Sequence, residues 1–241
     1  MGSVSQGRYR VDFAKTPADI KAAQALRQRC FRAGQVGLDQ DDFDDICQHI
    51  LVIDTKFDHL VCTFRTLLLA QARQIDRAYS AQFYDLSNLH GFKGKLLEMG
   101  RFCIDPEYND PDILRIAWGA MTNYVEAENV KLLFGCSSFA GTDVAKYVDA
   151  FALLKARHLA PTHWQPKVKA AHIFQYTDLF GGKLDMGLAL RHMPSLLRTY
   201  LLMGGWVSDH AVIDHNLGTL HVFTGLEVSA IPENRKRLLR R

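Results

Sequence analysis

Hydrophobic positions alternate near the start of the chain. In RYRVDFAKT, Tyr9, Val11 and Phe13 fall on one face, which predicts a first strand. The spacing then changes: Thr16 and Pro17 make a cap and first-turn pair, and Ile20, Ala23, Leu26 and Cys30 recur at helical intervals. HILVIDT (49–55) and LVCTFRTLLL (60–69) are apolar runs joined by a short turn, the pattern of a hairpin. Residues 71–94 show no period and carry Tyr79, Phe83, Tyr84 and Leu86 as local anchors. LLEMGRFCID (96–105) reads as another strand, and Asp110-Pro111 opens a helix running to about Asn129. KLLFGCSSF (131–139) is a strand, and 143–157 is helical. The segment 158–185 is loop-rich, with Pro161, Pro166 and Gly181-Gly182. A helical stretch ending near Leu202 is interrupted at Pro194. HAVIDHN and TLHVFTGLEV flank Asn216-Leu217-Gly218, a turn signal. The order is β-α-β-β-β-α-β-α-(α)-β-β, with no linker, repeat or low-complexity tract, so one domain over residues 1–241 is expected.

Composition adds limits. At 48% hydrophobic and 23% charged residues, the chain has enough apolar material for a real core. The five cysteines include no C-x-x-C, which points to neither a disulfide framework nor a zinc site and fits a reducing cytoplasm. The histidines show no metal spacing, so no metal is expected. No signal peptide opens the chain, and no apolar run reaches the ~18–20 residues that span a bilayer. The net charge of +3 is mild, but its distribution is uneven. DQDDFDD holds Asp39, Asp41, Asp42, Asp44 and Asp45, whereas the tail over 232–241 ends in RKRLLRR. That tail is either a solvated terminus or a contact for acidic partners or anionic lipid head groups.

One strand is anomalous. LLEMGRFCID carries Glu98 and Arg101 three residues apart, and regular alternation would send them to opposite faces. A bulge at Gly100 would shift the parity and let the two charges share a face. A plain buried ion pair is the structural alternative.

The order of elements is that of the GNAT acyltransferase fold: α/β (α+β), with a mixed central sheet, bulged and splayed fourth and fifth strands, and flanking helices. EMGRFCID resembles the E-x-x-R-F segment of the acyl-homoserine-lactone synthases and of the ornithine-lipid N-acyltransferases. LRQRCF (Arg27, Phe31), DDFDD and TFRTLL (Arg65) are similar in both groups. FGCSSFAGTD (134–143, with Ser137 and Ser138) and the run 194–214 resemble the ornithine N-acyltransferases alone. Two positions depart from that family: Asn109 stands where an arginine is frequent, and GTLHV replaces a threonine-rich start.

The resemblance implies transfer of a 3-hydroxyacyl group from acyl carrier protein to the α-amine of L-ornithine, giving lyso-ornithine lipid. No bound cofactor is implied; the carrier's 4'-phosphopantetheine arrives as part of the donor. Glu98 is the expected general base, beside Arg101, and the backbone amides of Phe102, Cys103 and Ile104 are the expected oxyanion donors. Arg27, Phe31, Asp42, Asp45, Arg65, Ser137 and Ser138 are the expected substrate contacts, with Arg65 suited to a carboxylate and the two aspartates to an ammonium. Coenzyme A enzymes of this fold carry a glycine-rich loop (Q/R-x-x-G-x-G/A) after the fourth strand. Here the loop is DPEYNDPDI, acidic and without glycine, a poor cradle for pyrophosphate. A carrier-protein donor fits better. An acidic carrier would meet a basic patch, with Lys146, Lys155, Arg157, Lys167 and Lys169 as candidates. A cytoplasmic enzyme with peripheral inner-membrane contact and no nucleic-acid partner is expected. Acylation of glutamine or another amino acid, acyl-homoserine-lactone synthesis, and a non-enzymatic carrier- or lipid-binding module stay open. A further pattern, His49-x4-Asp54, matches glycerolipid acyltransferases but sits inside a strand.

Overall fold

A computed structural model describes residues 4–179, 184–233 and 235. Most of the expected basic tail, residues 234 and 236–241, lies outside them. In chain order the elements are β1 (Val4–Gln6), β2 (Tyr9–Phe13), α1 (Pro17–Phe31), β3 (Gln48–Asp54), β4 (His59–Leu69), β5 (Tyr84–Asp85) and β6 (Lys95–Ile104). They continue with α2 (Pro111–Ala127), β7 (Val130–Ala140), α3 (Val148–Arg157), β8 (Lys167–Val168) and β9 (Ile173–Gln175). The last are α4 (Met186–His192), α5 (Ser195–Leu202), β10 (Trp206–Val207), β11 (His210–Asp214) and β12 (Thr219–Glu227). The chain divides into two compact units, Met1–Leu68 with Leu97–Val130, and Leu69–Leu96 with Lys131–Pro232.

In the first unit the strands run in the order β1-β2-β3-β4-β6. β3 and β4 form the expected antiparallel hairpin, from Gln48↔Thr66 to Asp54↔His59, with one register shift at Val52/Ile53. Both strands are buried along most of their length, which is why their sequences read as continuous apolar runs. α1 begins as its sequence requires. The Thr16 side chain accepts from Asp19 N at 3.2 Å, and the Asp19 carboxylate accepts from Thr16 N at 3.0 Å, a reciprocal capping box ahead of Pro17. α1 packs on β3, and α2 on β2 and β3.

β6 is not a regular strand. Residues 96–99 are buried in succession, as along β3 and β4, so both faces of this part of β6 are covered. Arg101, not Gly100, takes the left-handed backbone, with φ +55°. The break therefore sits one residue later than expected, on a side chain that resists it by roughly 1–2 kcal/mol.

In the second unit the order is β7-β12-β11-β9, with β10 on the edge of β12. β7 and β12 pair antiparallel from Leu132↔Glu227 to Ala140↔Thr219. Phe139, Tyr147, Phe151, Leu154, Tyr176, Leu197 and Val222 belong to one buried cluster under these strands. α3 packs against α4, and α5 against β12. A Cβ at Gly225 would run into the Trp206 ring, so that position admits only glycine.

Candidate active site

Three arginines of the first unit, Arg27 and Arg65 buried and Arg101 half-buried, converge on the aspartates that follow α1. Arg27, in α1 and 1% exposed, donates Nε to Asp39 Oδ2 at 2.9 Å and Nη1 to Asp44 Oδ1 at 2.7 Å. Its Nη2 donates to the Asp39 carbonyl and, at 3.0 Å, to Asp44 Oδ2. Arg65, from β4, donates Nη1 to Asp41 Oδ1 at 2.5 Å and Asp44 Oδ1 at 2.6 Å, and Nη2 to Asp41 Oδ2 at 2.8 Å. Arg101, from the break in β6, donates Nε to Asp39 Oδ2 at 2.9 Å and Nη2 to Asp41 Oδ2 at 3.1 Å. Arg32 adds a fourth guanidinium, with Nε 3.2 Å from Asp39 Oδ1. Each of the three aspartates thus bridges at least two arginines. The Asp39–Asp45 segment is held to α1, β4 and β6 by charge-assisted bonds in a place where unpaired charge is costly.

The electrostatics follow from that pairing. Burial would lift the Asp39 carboxyl, but the charges of Arg101 and Arg27 overcome it and hold the group below the usual carboxylate range. Burial opposes Asp44 too, yet Arg27, Gln24 and Arg65 keep it well below that range. Both carboxylates are ionised at neutral pH. Cys47 lies in the same field: burial pushes its thiol up to about 12, with Arg65 opposing and Glu98, Asp41 and Asp44 adding to the rise.

Arg101 reaches the charge cluster through Asp39 and Asp41, and Glu98 is one of the charges that raise the Cys47 thiol. Glu98 is 4% exposed. Phe102 stacks on Phe64, with ring centroids 5.5 Å apart. The Cys103 thiol is pushed up by its hydrogen bond with Cys30 and by burial, so it stays protonated and is not activated as a nucleophile. Phe31 ends α1 half-buried.

Of the residues the structure brings together here, the sequence singled out Arg27, Arg65 and Arg101 but not Asp39, Asp41 and Asp44. Asp42 and Asp45, named in their place, are exposed. The signal was present: Asp41 accepts from Phe43 N at 3.0 Å and Asp44 returns toward Asp41 N, a capping box spaced D-x-x-D. That box turns Asp41 and Asp44 one way and Asp42 and Asp45 the other. His49 and Asp54 do not form a pair; His49 Nε2 donates to the Asp44 carbonyl at 3.2 Å, and Asp54 pairs with Arg8. Ser137 and Ser138 lie on β7 of the second unit, one buried and one exposed on opposite faces, so a single pocket cannot take both side chains.

The loop after β6 is also settled by its own acids. Asp105 accepts from Arg29 Nη2 at 2.7 Å and from Glu107 N at 3.1 Å. Asp110 caps α2, accepting from Asp112 N at 2.9 Å while receiving the Tyr9 hydroxyl at 2.6 Å. An anion already occupies the helix start at which a pyrophosphate would sit.

Residues 25–119 match the Acetyltransferase (GNAT) domain family, a span that holds the whole arginine–aspartate cluster and Glu98. Over 249 aligned residues the chain is 33% identical to the L-ornithine N(alpha)-acyltransferase of Rhodobacter capsulatus, covering 97% of this chain and 95% of that one. It is 32% identical to the enzyme of the same name from Brucella abortus, covering 93% and 86%. The chain belongs to the L-ornithine N(alpha)-acyltransferase family. Among solved structures, FeeM, an N-acyl amino acid synthase from uncultured soil microbes, matches with a TM-score of 0.55 over 93% of this chain and 94% of that one. At 11% identity that likeness is one of fold, and the fold is GNAT.

The second unit of this acyltransferase-family chain buries polar groups of a different kind. The Tyr84 hydroxyl donates to the His221 carbonyl at 2.9 Å and lies 3.1 Å from His221 Nδ1, which then supplies the proton between them. Thr224 Oγ1 donates to Ser137 Oγ at 2.9 Å, and Ser208 Oγ donates to the His210 carbonyl at 2.7 Å. Burial lowers His221 to about 4, with Asp214 opposing, so its ring is neutral at working pH. Among the described residues no helix is long and apolar enough to cross a membrane.

Proposed function

We propose that the protein transfers a 3-hydroxyacyl group from acyl carrier protein to the α-amine of L-ornithine, giving lyso-ornithine lipid. Similarity over nearly the whole chain to enzymes named L-ornithine N(alpha)-acyltransferase is the observation that carries the amine substrate. In this reading Glu98 takes the proton of the attacking amine, directly or through one water. The amine nitrogen forms the C–N bond, the C–S bond of the thioester breaks, and the pantetheine thiol leaves with a proton. Backbone amides of Phe102, Cys103 and Ile104 stabilise the oxyanion. Arg101 positions that backbone through Asp39 and Asp41, while Arg27 and Arg65 position the aspartates. Arg65 meets a substrate carboxylate only where that carboxylate takes the place of Asp41. The exposed Asp42 and Asp45 remain available to the side-chain ammonium of ornithine, with Phe31 as a further contact.

The capped start of α2 supports a carrier-protein donor over coenzyme A, since Asp110 opposes a pyrophosphate there. The product is an amphiphile, and its release fits peripheral contact with the inner membrane. The test is to incubate the purified protein with 3-hydroxyacyl carrier protein, or the matching coenzyme A thioester, and a panel of amino acids that includes ornithine and glutamine. Acylated ornithine formed from the carrier thioester is the expected product. Acylated glutamine alone would move the substrate assignment, and no product with any amine would overturn the reaction.

A further inference from the structure

Two cysteines of the first unit are in hydrogen-bond contact. Cys30 is the second-last residue of α1, and Cys103 is the second-last of β6. The Cys30 thiol donates to the Ile104 carbonyl with its Sγ 3.4 Å away, so it is turned onto the end of β6. The same sulfur accepts a hydrogen bond from the Cys103 S–H. The two thiols form a short chain that runs from Cys103 to Cys30 to the Ile104 carbonyl.

The two sulfurs are not equivalent. Cys103 is 6% exposed, whereas Cys30 is half-buried and reaches solvent. The hydrogen bond from Cys103 lowers the Cys30 thiol, and Arg29 adds to that, against burial and Asp105. The other thiols of this unit differ. Cys62 is fully buried and pushed up by that burial, and burial lifts Cys47 to about 12. A solvent-reachable thiol that loses its proton readily, set against a second cysteine, is built to be oxidised and then resolved.

We infer that Cys30 and Cys103 are a reversible thiol–disulfide pair, closed by hydrogen peroxide, that ties the end of α1 to β6 and switches the protein off. The Cys30 sulfur attacks peroxide and the O–O bond breaks. Cys30 becomes a sulfenic acid, and the released hydroxide takes up the Cys30 proton as water. The Cys103 sulfur then attacks the Cys30 sulfur. The S–O bond breaks, the S–S bond forms, and the Cys103 proton leaves with the departing hydroxyl as a second water. Two thiols lose two electrons, and one peroxide is reduced. Cys103 keeps its proton first of all because of the hydrogen bond it gives to Cys30, and that reason ends once Cys30 carries oxygen. A disulfide draws its sulfurs to about 2.05 Å, closer than hydrogen-bonded thiols, so β6 must shift at Cys103 and Ile104. The amides of these residues are oxyanion donors in the proposed reaction. The loss of activity rests on that proposal, whereas the disulfide does not.

The reduced full chain is treated with hydrogen peroxide, capped with N-ethylmaleimide and mapped by mass without reduction. Before capping, the chain should lose about 2 Da. Three of its five cysteines should then take the cap, and one linked peptide pair should join Cys30 to Cys103. Dithiothreitol should restore all five thiols. Turnover of the linked chain should fall by about 10²-fold and return on reduction. Cys30→Ser should melt and turn over as wild type and keep its activity in peroxide. A Cys30 still capped after peroxide overturns the pair, as does a bond from Cys30 to Cys47, Cys62 or Cys136, or a Cys30 sulfinic acid with no link. These outcomes are read on the wild type, so they stand whatever the variant does. A linked chain with normal turnover overturns the switch. No turnover in either state strikes the proposed reaction and leaves the link, read by mass, standing.

Discussion

The two units bury polarity in opposite ways. Around Asp39, Asp41 and Asp44 the first unit packs full charges, each aspartate bridging two or more guanidinia. Around Tyr84 and His221 the second unit packs neutral groups joined by single hydrogen bonds. The charged network holds its carboxylates below their usual range, whereas the neutral cluster drives a histidine far below its own. One arrangement survives because its charges answer one another, the other because the groups that bond each other are neutral. The difference sets how each region should fail.

The largest effect is expected in the charged region, at the group assigned to chemistry. Glu98→Gln keeps shape and removes the base, so turnover should fall by about 10²–10⁴-fold with little change in melting temperature. Steady-state kinetics beside a thermal melt checks it, and near-wild-type turnover would release Glu98 from the role of base. Arg27→Met should act on stability instead. It leaves Asp39 and Asp44 short of their main partner, a loss of about 3–5 kcal/mol readable by urea unfolding.

Acid should act on the buried histidines before it acts on the aspartates. The folded His221 has a pKa of about 4, below the unfolded value of 6.5, so the unfolded chain takes up the proton first. Its contribution is complete above pH 6.5 and is lost as pH falls toward 4, about 3 kcal/mol in all. The depressed Asp39 and Asp44 contribute above their unfolded pKa near 3.8, and that contribution fades only on further acidification. Chemical denaturation between pH 7 and 4.5 should show the loss from the histidines that burial lowers, with His49 and His158 adding to His221, and His221→Gln should flatten the slope in part. An unchanged slope would place the acid-sensitive group elsewhere. The smallest effect belongs to Tyr84→Phe, which removes a neutral hydroxyl that donates to the His221 carbonyl and accepts from its ring, at a cost of about 1–3 kcal/mol.

These regions were not equally legible in the sequence. Thr16-Pro17, the hairpin of β3 and β4, and Asp110-Pro111 at the head of α2 announce themselves through capping chemistry and apolar runs, and the structure holds all of them. The short strands β1, β5, β8, β9 and β10 are only two or three residues long, too short for any period to register. Arg65, Glu98 and Arg101 could be picked out because charge inside an apolar strand is conspicuous, whereas Arg27 was named through the resemblance of LRQRCF. The aspartates could not be sorted by parity, since Asp39–Asp45 follows no regular alternation; the capping box alone distinguished Asp41 and Asp44. Gly100 drew attention as the residue best able to bend, yet the strain lies on Arg101, whose bonds to Asp39 and Asp41 outweigh its reluctance. A long-range ion pair of that kind leaves no local trace.

Asp110, fixed at the head of α2 between a helix start and the Tyr9 hydroxyl, has a consequence for how donors are told apart. A carboxylate there discriminates by repulsion, and repulsion between solvent-exposed charges is screened within about 10 Å at 0.1 M salt. Under the proposed reaction, preference for the carrier-bound thioester over the free nucleotide thioester should therefore be a property of ionic strength as much as of shape. It would be sharpest in dilute buffer and shallower as counter-ions gather at the helix mouth.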